Sequence, residues 1–235
     1  MLLNQIGAIL QKKQVLKCFF DNFCGQMFPK TAFILAGGKG ERLRPLTDNL
    51  PKPMVLVKGK PIIQYGIELL AFFGVKKIIL GVSYKAEKIE EYFGDGKNFG
   101  VEMVYSHEKE FLGTGGALRN AEKLIDGKFI MLNGDTLMDV NFKEMDKIHE
   151  MENALGTIAL VEVDDITGFG VVKPNFTNGS VSGKVESFVE KPSPANAPSK
   201  LVNAGAYILE KGTIGLLPDG FCLIEKTLFP DLAKK

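Results

Sequence analysis

The stretch that most constrains this chain runs from Phe33 to Pro53, FILAGGKGERLRPLTDNLPKP. An apolar strand-like run, Phe33, Ile34 and Leu35, empties into three glycines within four positions, Gly37, Gly38 and Gly40. Glycine lets a backbone turn sharply and bring its N–H groups close to a ligand. Arg42 and Arg44 follow at once, and Lys52 lies between two prolines. Backbone donors flanked by cations describe a cradle for several phosphates. Two familiar phosphate loops do not fit. G-x-x-x-x-G-K-[ST] has no match here, and a G-x-G-x-x-G reading from Gly38 and Gly40 meets Leu43 where its last glycine should be. An ordinary strand-to-helix turn with solvated basic residues is the plainer reading. The density of G-G-x-G-x-R-L-x-P-L-T followed by P-K-P weighs against it.

The chain has 235 residues, enough for one well-buried α/β domain. Its net charge of +1 argues against nucleic acid or an anionic membrane as main partner. No apolar run approaches the length of a bilayer span. Cys18, Cys24 and Cys222 are odd in number and form no C-x-x-C pair. They fit reduced thiols of a cytoplasmic protein better than a disulfide framework or a zinc site. Leu2 to Leu10 is mildly apolar, but Lys12, Lys13 and Lys17 interrupt it and no small-residue cleavage site follows, which argues against a signal peptide. Ile6, Ile9, Leu10 and Leu16 line one side of a short helix at this spacing. Residues 1–28 read as an appendage, with Met27 a second candidate start. The alternative for this segment is an oligomer contact.

From Lys30 onward, helical and strand patterns alternate. Helices are expected over Pro61–Val75, Ala86–Phe93, Gly116–Ile125 and Phe142–Met151, with strands at Ile78–Val82, Val101–Tyr105 and Phe129–Leu132. This alternation predicts a mostly parallel sheet with helices on both faces. After Val140 the texture becomes strand-rich: Thr157–Val163, Phe169–Val172, Val185–Val189 and Val202–Leu209, with the turn dipeptide Asn178-Gly179 between two of them. This half is expected to be mixed or antiparallel and to wall the site.

LAGGKGERLRPLT followed by LPKPM resembles the opening of the sugar-phosphate nucleotidyltransferases, which join a nucleoside triphosphate to a sugar 1-phosphate. The resemblance continues through LGTGGAL at 112–118, LNGD at 132–135, FGVV at 169–172, VEKP at 189–192 and NAGAY at 203–207. It covers roughly residues 30 to 233 and leaves 29–235 as one nucleotidyltransferase domain. It implies a Rossmann-like mixed sheet in a GT-A-like three-layer sandwich. It also implies a nucleotide site at Leu35, Ala36, Gly37, Gly38, Gly40, Glu108, Gly113 and Thr114, where Gly113, Gly115 and Gly116 let a flat base lie against backbone. Glu108 aligns with the position that reads the base edge. Arg42 is implied to face the leaving pyrophosphate and Lys52 the α-phosphate. Asn133, Gly170, Glu190, Lys191 and Asn203 are implied to hold the sugar phosphate, Gly170 by admitting the sugar ring.

Asp135 at a strand end suits a magnesium ion bridging phosphate oxygens, since magnesium takes one or two carboxylates plus phosphate and water. By itself, Asn133-Gly134-Asp135 also reads as a turn. VSYKAEKIEEYF, EKEFLGTGGAL and LNGDT look most like heptose-1-phosphate guanylyltransferases. GTP and a heptose or mannose 1-phosphate are therefore the favoured pair, in the service of lipopolysaccharide or other surface polysaccharide. Uridylyl or thymidylyl transfer to a hexose 1-phosphate is the runner-up, and a nucleotide-binding regulatory homologue with weak turnover is the other-class alternative. Relatives carry a second metal-binding aspartate in a W-x-D-x-G-T-like segment beyond the position of Lys235. This sequence has no tryptophan. The expectation is looser magnesium binding, an exposed sheet edge and a tendency to form homo-oligomers.

Overall fold

Strand β1 (Thr31–Leu35) is apolar on both faces, which places it inside a sheet covered on both sides. The computed structural model describes residues 28–176 and 181–234. The appendage helix, Cys18, Cys24 and the Asn178-Gly179 turn lie outside the described residues. After β1 come a small hairpin of β2 (Leu56–Val57) and β3 (Lys60–Pro61), helix α1 (Ile62–Phe72), β4 (Lys77–Val82), α2 (Ala86–Phe93) and β5 (Glu102–His107). Then follow α3 (Gly113–Asn120), β6 (Phe129–Asn133), α4 (Phe142–Met151), β7 (Gly156–Glu162), β8 (Gly170–Phe176), β9 (Gly183–Glu190), β10 (Leu201–Leu209) and α5 (Leu228–Leu232).

The main sheet has eight strands in the order β5-β4-β1-β6-β10-β8-β9, with β7 paired to β10. Strands β5, β4, β1 and β6 run parallel. β10 is antiparallel to β6, β7 and β8, and β8 and β9 are antiparallel to each other. Alternate residues of each central strand enter different cores. Ala32, Ile34, Ile78, Leu80, Ile130, Leu132 and Ile208 meet α1, α2 and α4 on one face. Phe33, Ile79, Phe129, Met131, Tyr207 and Leu209 meet α3, α5 and the 3-10 turn at Lys211–Leu216 on the other. The period of two sorts the sheet into its two faces, and helices cover both.

Helices α2 and α4 have the expected ends. Helix α1 stops at Phe72 rather than Val75, because Gly74 takes φ 90 and ends the run. Helix α3 starts at Gly113, three residues earlier than the pattern predicts, and breaks at Asn120 into a 3-10 turn at Glu122–Leu124. Four glycine or threonine residues in its first turn hide the helix from a propensity reading. The crossovers from β1 run first to β4 and β5, and the chain then returns to place β6 on the other side of β1. Strand order therefore reverses between β1 and β6, where open α/β sheets bind ligands.

Candidate active site

The loop after β1 is held by strand β4, by a threonine side chain and by its own backbone. Ala36 N–H donates to Gly81 O at 2.9 Å, Thr47 Oγ1 donates to Gly40 O at 2.8 Å, and Lys52 N–H donates to Gly38 O at 3.3 Å. Gly40 has φ 68, and a Cβ there would stand 2.7 Å from Lys52 Cβ. Only glycine meets both demands. Gly38, by contrast, has no atom within 4 Å of where a side chain would stand. The loop thus holds Lys52 close while leaving Gly38 open.

Strand β6 ends beside it in parallel register, Leu35 opposite Asn133. Gly134 N–H donates to Leu35 O at 2.9 Å. This turn delivers Asp135 to the ammonium of Lys52, and the two form an ion pair with about a third of each side chain exposed, 30% and 34%. They come from loops 83 residues apart. They face a cleft of about 200 Å³ whose walls include Gly37, Gly38, Glu108, Thr114 and Asn133. Asn133 Oδ1 is buried and has no hydrogen-bond partner among the described residues.

Glu108 leaves the end of β5, its N–H bonded to Val82 O at 3.0 Å. Its carboxylate accepts Leu112 N–H at 2.9 Å. A Cβ on Gly37 would come within 2.9 Å of Glu108 Oε1, so the glycine loop and this carboxylate share one wall. Burial pushes the Glu108 carboxyl above the usual glutamate range, against the Leu112 bond that favours the ion.

The glycines of LGTGG also make room for another segment of the chain. Where a side chain would stand, all three meet residues 220–224; Gly113 also lines the cleft. Gly115 and Gly116 N–H both donate to Cys222 O, at 3.0 and 3.3 Å, and Cys222 N–H donates back to Leu112 O at 3.0 Å. A Cβ on Gly113 would lie 2.6 Å from Cys222 O, one on Gly115 2.7 Å from Cys222 Sγ, and one on Gly116 would overlap Gly220 O. Absent side chains here admit a second stretch of chain. Thr114 lines the cleft, but its hydroxyl is committed: it donates to Glu225 Oε2 at 2.6 Å and accepts Ile224 N–H at 3.0 Å. Glu225 escaped the sequence reading altogether. Nothing in L-I-E-K-T-L-F marks a carboxylate that fastens a helix 111 residues away.

Other expected residues stand apart from the cleft walls. Arg42 is exposed on the 3-10 turn Glu41–Leu43 and makes no ion pair among the described residues. Arg44 pairs with Asp48 at 3.7 Å, both exposed. Gly170 makes room for protein: a Cβ there would lie 2.5 Å from the Phe188 ring and 3.0 Å from Glu190 Oε2. Lys191, at φ 48, pairs with Glu190 Oε1 at 3.1 Å. Asn203 donates to Tyr207 OH at 2.6 Å and accepts Gly205 N–H at 2.9 Å, bracing the β10 bulge.

Residues 31–218 match the nucleotidyl transferase family. The chain belongs to that family. It is 36% identical over 203 residues to a UTP–glucose-1-phosphate uridylyltransferase of Synechocystis, covering 80% of this chain and 51% of that protein. It is 39% identical over 206 residues to a mannose-1-phosphate guanyltransferase of Yarrowia lipolytica, covering 86% and 55%. The chain spans about half the length of the curated relatives it matches. Among solved structures, HddC from Yersinia pseudotuberculosis complexed with GMP-PN superposes with a TM-score of 0.68 at 35% identity, over 84% of each chain. The mixed sheet with its helical layers is the nucleotidyltransferase fold.

A magnesium ion suits this nucleotidyltransferase cleft in one respect and is constrained in another. Asp135 supplies a hard, partly exposed oxygen donor beside a cradle for anions. Among the described residues no group of three or more His, Cys, Asp or Glu side chains could enclose a metal. An ion held here would have Asp135 as its protein carboxylate and would need phosphate oxygens and water to complete its shell, an arrangement magnesium accepts. No helix of the described residues is long and apolar enough to cross a membrane.

Proposed function

We propose that this chain carries out magnesium-dependent transfer of a nucleotidyl group from a nucleoside triphosphate, GTP by preference, to a sugar 1-phosphate, giving a nucleotide sugar and pyrophosphate. The observation that carries the reading is the Lys52–Asp135 pair facing Glu108 across one cleft at the switch point of the sheet. The acceptor is a heptose or mannose 1-phosphate. The guanyltransferase relative and the GMP-PN-bound HddC support the guanine choice. The uridylyltransferase relative supports the runner-up, uridylyl transfer to a hexose 1-phosphate. In this reading residues 29–235 form the nucleotidyltransferase domain and residues 1–28 an appendage.

An oxygen of the sugar 1-phosphate attacks the α-phosphorus in line, and pyrophosphate leaves. That oxygen is already ionised, so no general base is needed. Both reactants are anions, and holding them together while neutralising charge is the main task. The glycine loop offers backbone amides to the triphosphate. Lys52 steadies the α-phosphate, and Asp135, its partner in this structure, would hold the ion. When bound, magnesium offsets charge on the phosphate oxygens. Arg42, exposed at the loop rim, reaches the pyrophosphate. Lys191 takes the sugar phosphate and Glu190 the sugar hydroxyls. A pyrophosphate-release screen crossing four nucleoside triphosphates with a panel of sugar 1-phosphates, with and without magnesium, tests all of this. Release with no pair would sink the reading.

Glu108 accounts for the base. A carboxylate only accepts hydrogen bonds, and guanine presents two adjacent donors, N1–H and N2–H. Glu108→Gln puts a donor where an acceptor is needed and should cost GTP about 1.5–3 kcal/mol in specificity constant relative to UTP. An unchanged GTP to UTP ratio removes Glu108 from the base pocket. The pH dependence has a definite sign. The Glu108 carboxyl titrates above the usual glutamate range, so as pH falls its protonation turns an acceptor into a donor sooner than for a solvated glutamate. Guanine preference should therefore fade on the acid side at a higher pH than a solvated glutamate would dictate, and Glu108→Gln should flatten that limb.

A further inference from the structure

Two large aromatic rings at the cleft mouth have no role in the account so far. Phe111 is 56% exposed and Phe221 61% exposed. Their ring centroids lie 6.0 Å apart at an interplanar angle of 48°. Phe111 lines the cleft together with Glu108 and Gly113. Phe221 belongs to the segment that seats on the glycines of α3, and its ring edge stands 3.1 Å from where a Cβ on Gly113 would be. Burial does not hold these rings; the backbone beneath them does. The residue after Phe111, Leu112, accepts Cys222 N–H at 3.0 Å, and Cys222 follows Phe221. The two phenylalanines are thus fixed side by side on paired backbones.

More than half of each phenylalanine stays in water, so its burial gains the fold little. A π-face beside a carboxylate that reads base edges is suited to a planar heteroaromatic ligand. Edge bonds to Glu108 fix the in-plane position of a base but leave its faces uncovered. We propose that Phe111, braced by Phe221, stacks on the nucleobase of the bound nucleoside triphosphate and favours a purine through its larger face. This rests on the nucleotidyl-transfer reading and adds to it a second specificity residue. Phe111 covers a face where Glu108 reads an edge. Phe221 acts through Phe111 and is a positioning residue.

The test is calorimetric binding of GTP and UTP in magnesium, without any sugar phosphate, so that turnover plays no part. Phe111→Ala should weaken GTP binding about tenfold and UTP binding less, the scale of one lost stacking face. Phe111→Tyr should restore binding and Phe111→Leu should not, because only the former keeps a π-face. Phe221→Ala should give a smaller loss that vanishes in the Phe111→Ala background. Half-exposed positions allow these variants to fold, which thermal unfolding would verify. Wild-type protein that binds GTP while Phe111→Ala binds it equally well overturns the stacking and leaves the functional reading intact. Equal rescue by Leu and Tyr also overturns it, reducing Phe111 to an apolar rim. A wild-type chain that binds no nucleoside triphosphate overturns the stacking and the functional reading together.

Discussion

Asp135→Asn is expected to lower turnover by about a hundredfold or more, the scale of one deleted preorganised electrostatic contact. The substitution keeps the side-chain size and removes the charge that would anchor the ion. It also frees Lys52, whose ammonium pairs with Asp135. That pair is about a third exposed, so water takes over the solvation of Lys52, and the stability cost stays within about 1 kcal/mol. Activity and stability therefore separate. The check is pyrophosphate release at saturating substrates and magnesium, beside a thermal melt of the same preparation. Near-normal release from a normally folded Asp135→Asn protein would remove Asp135 from the metal site. A large fall in melting temperature would instead give the ion pair a structural role larger than its exposure allows.

The half of the site formed by the parallel strands was legible in the sequence for a physical reason. Where an apolar strand ends and glycine, arginine or Asn-Gly-Asp begins, local chemistry changes abruptly, and strand ends are where open α/β sheets present ligands. Leu35 to Gly40 and Asn133 to Asp135 are such places, and the structure brings them together through the β1–β6 register. Glu108 came from the family resemblance, and the structure places it just past the carboxyl end of β5. The buried strands followed from runs of β-branched and aromatic residues, with errors of one or two residues at their ends. The shift was larger for β8, which reaches Phe176 rather than Val172.

What escaped the sequence depends on contacts between distant segments. Gly113, Gly115 and Gly116 look like glycines that face a ligand. Where their side chains would stand, the structure has Cys222 O, Cys222 Sγ and Gly220 O. A glycine pattern announces close approach without saying what approaches. Gly170 is the same case: the occupants are Phe188 and Glu190, its own neighbours on the paired strand β9. Glu225 had no local signal, because its partner Thr114 lies on another element. Asn203 also braces the bulge in β10, where its amide donates to Tyr207 OH and accepts Gly205 N–H, a structural task with no signal in the sequence.

Gly116→Ala sets local preference against this packing. Taken alone, helix propensity favours alanine over glycine in α3 by about 1 kcal/mol. The packing opposes it. A methyl on Gly116 would overlap Gly220 O and stand 2.9 Å from Leu112 Cβ. The first of these is backbone and cannot rotate away, so the 220–225 segment must lift. Lifting it breaks the bonds from Gly115 and Gly116 N–H to Cys222 O and strains the Thr114–Glu225 bond. Overpacking costs about 1–3 kcal/mol and each lost hydrogen bond about 1 kcal/mol. The penalty exceeds the propensity gain, and the variant should be destabilised by about 2 kcal/mol in a urea titration. Gly212→Ala and Gly215→Ala are the controls: neither has an atom within 4 Å of the new methyl or a positive φ, and both should be near neutral. The displaced segment also carries Phe221 away from Phe111, so Gly116→Ala should weaken GTP binding as well as stability. Gly116→Ala as stable as Gly212→Ala would mean that residues 220–225 yield to the methyl without cost, and that the glycines of α3 are not there to seat them.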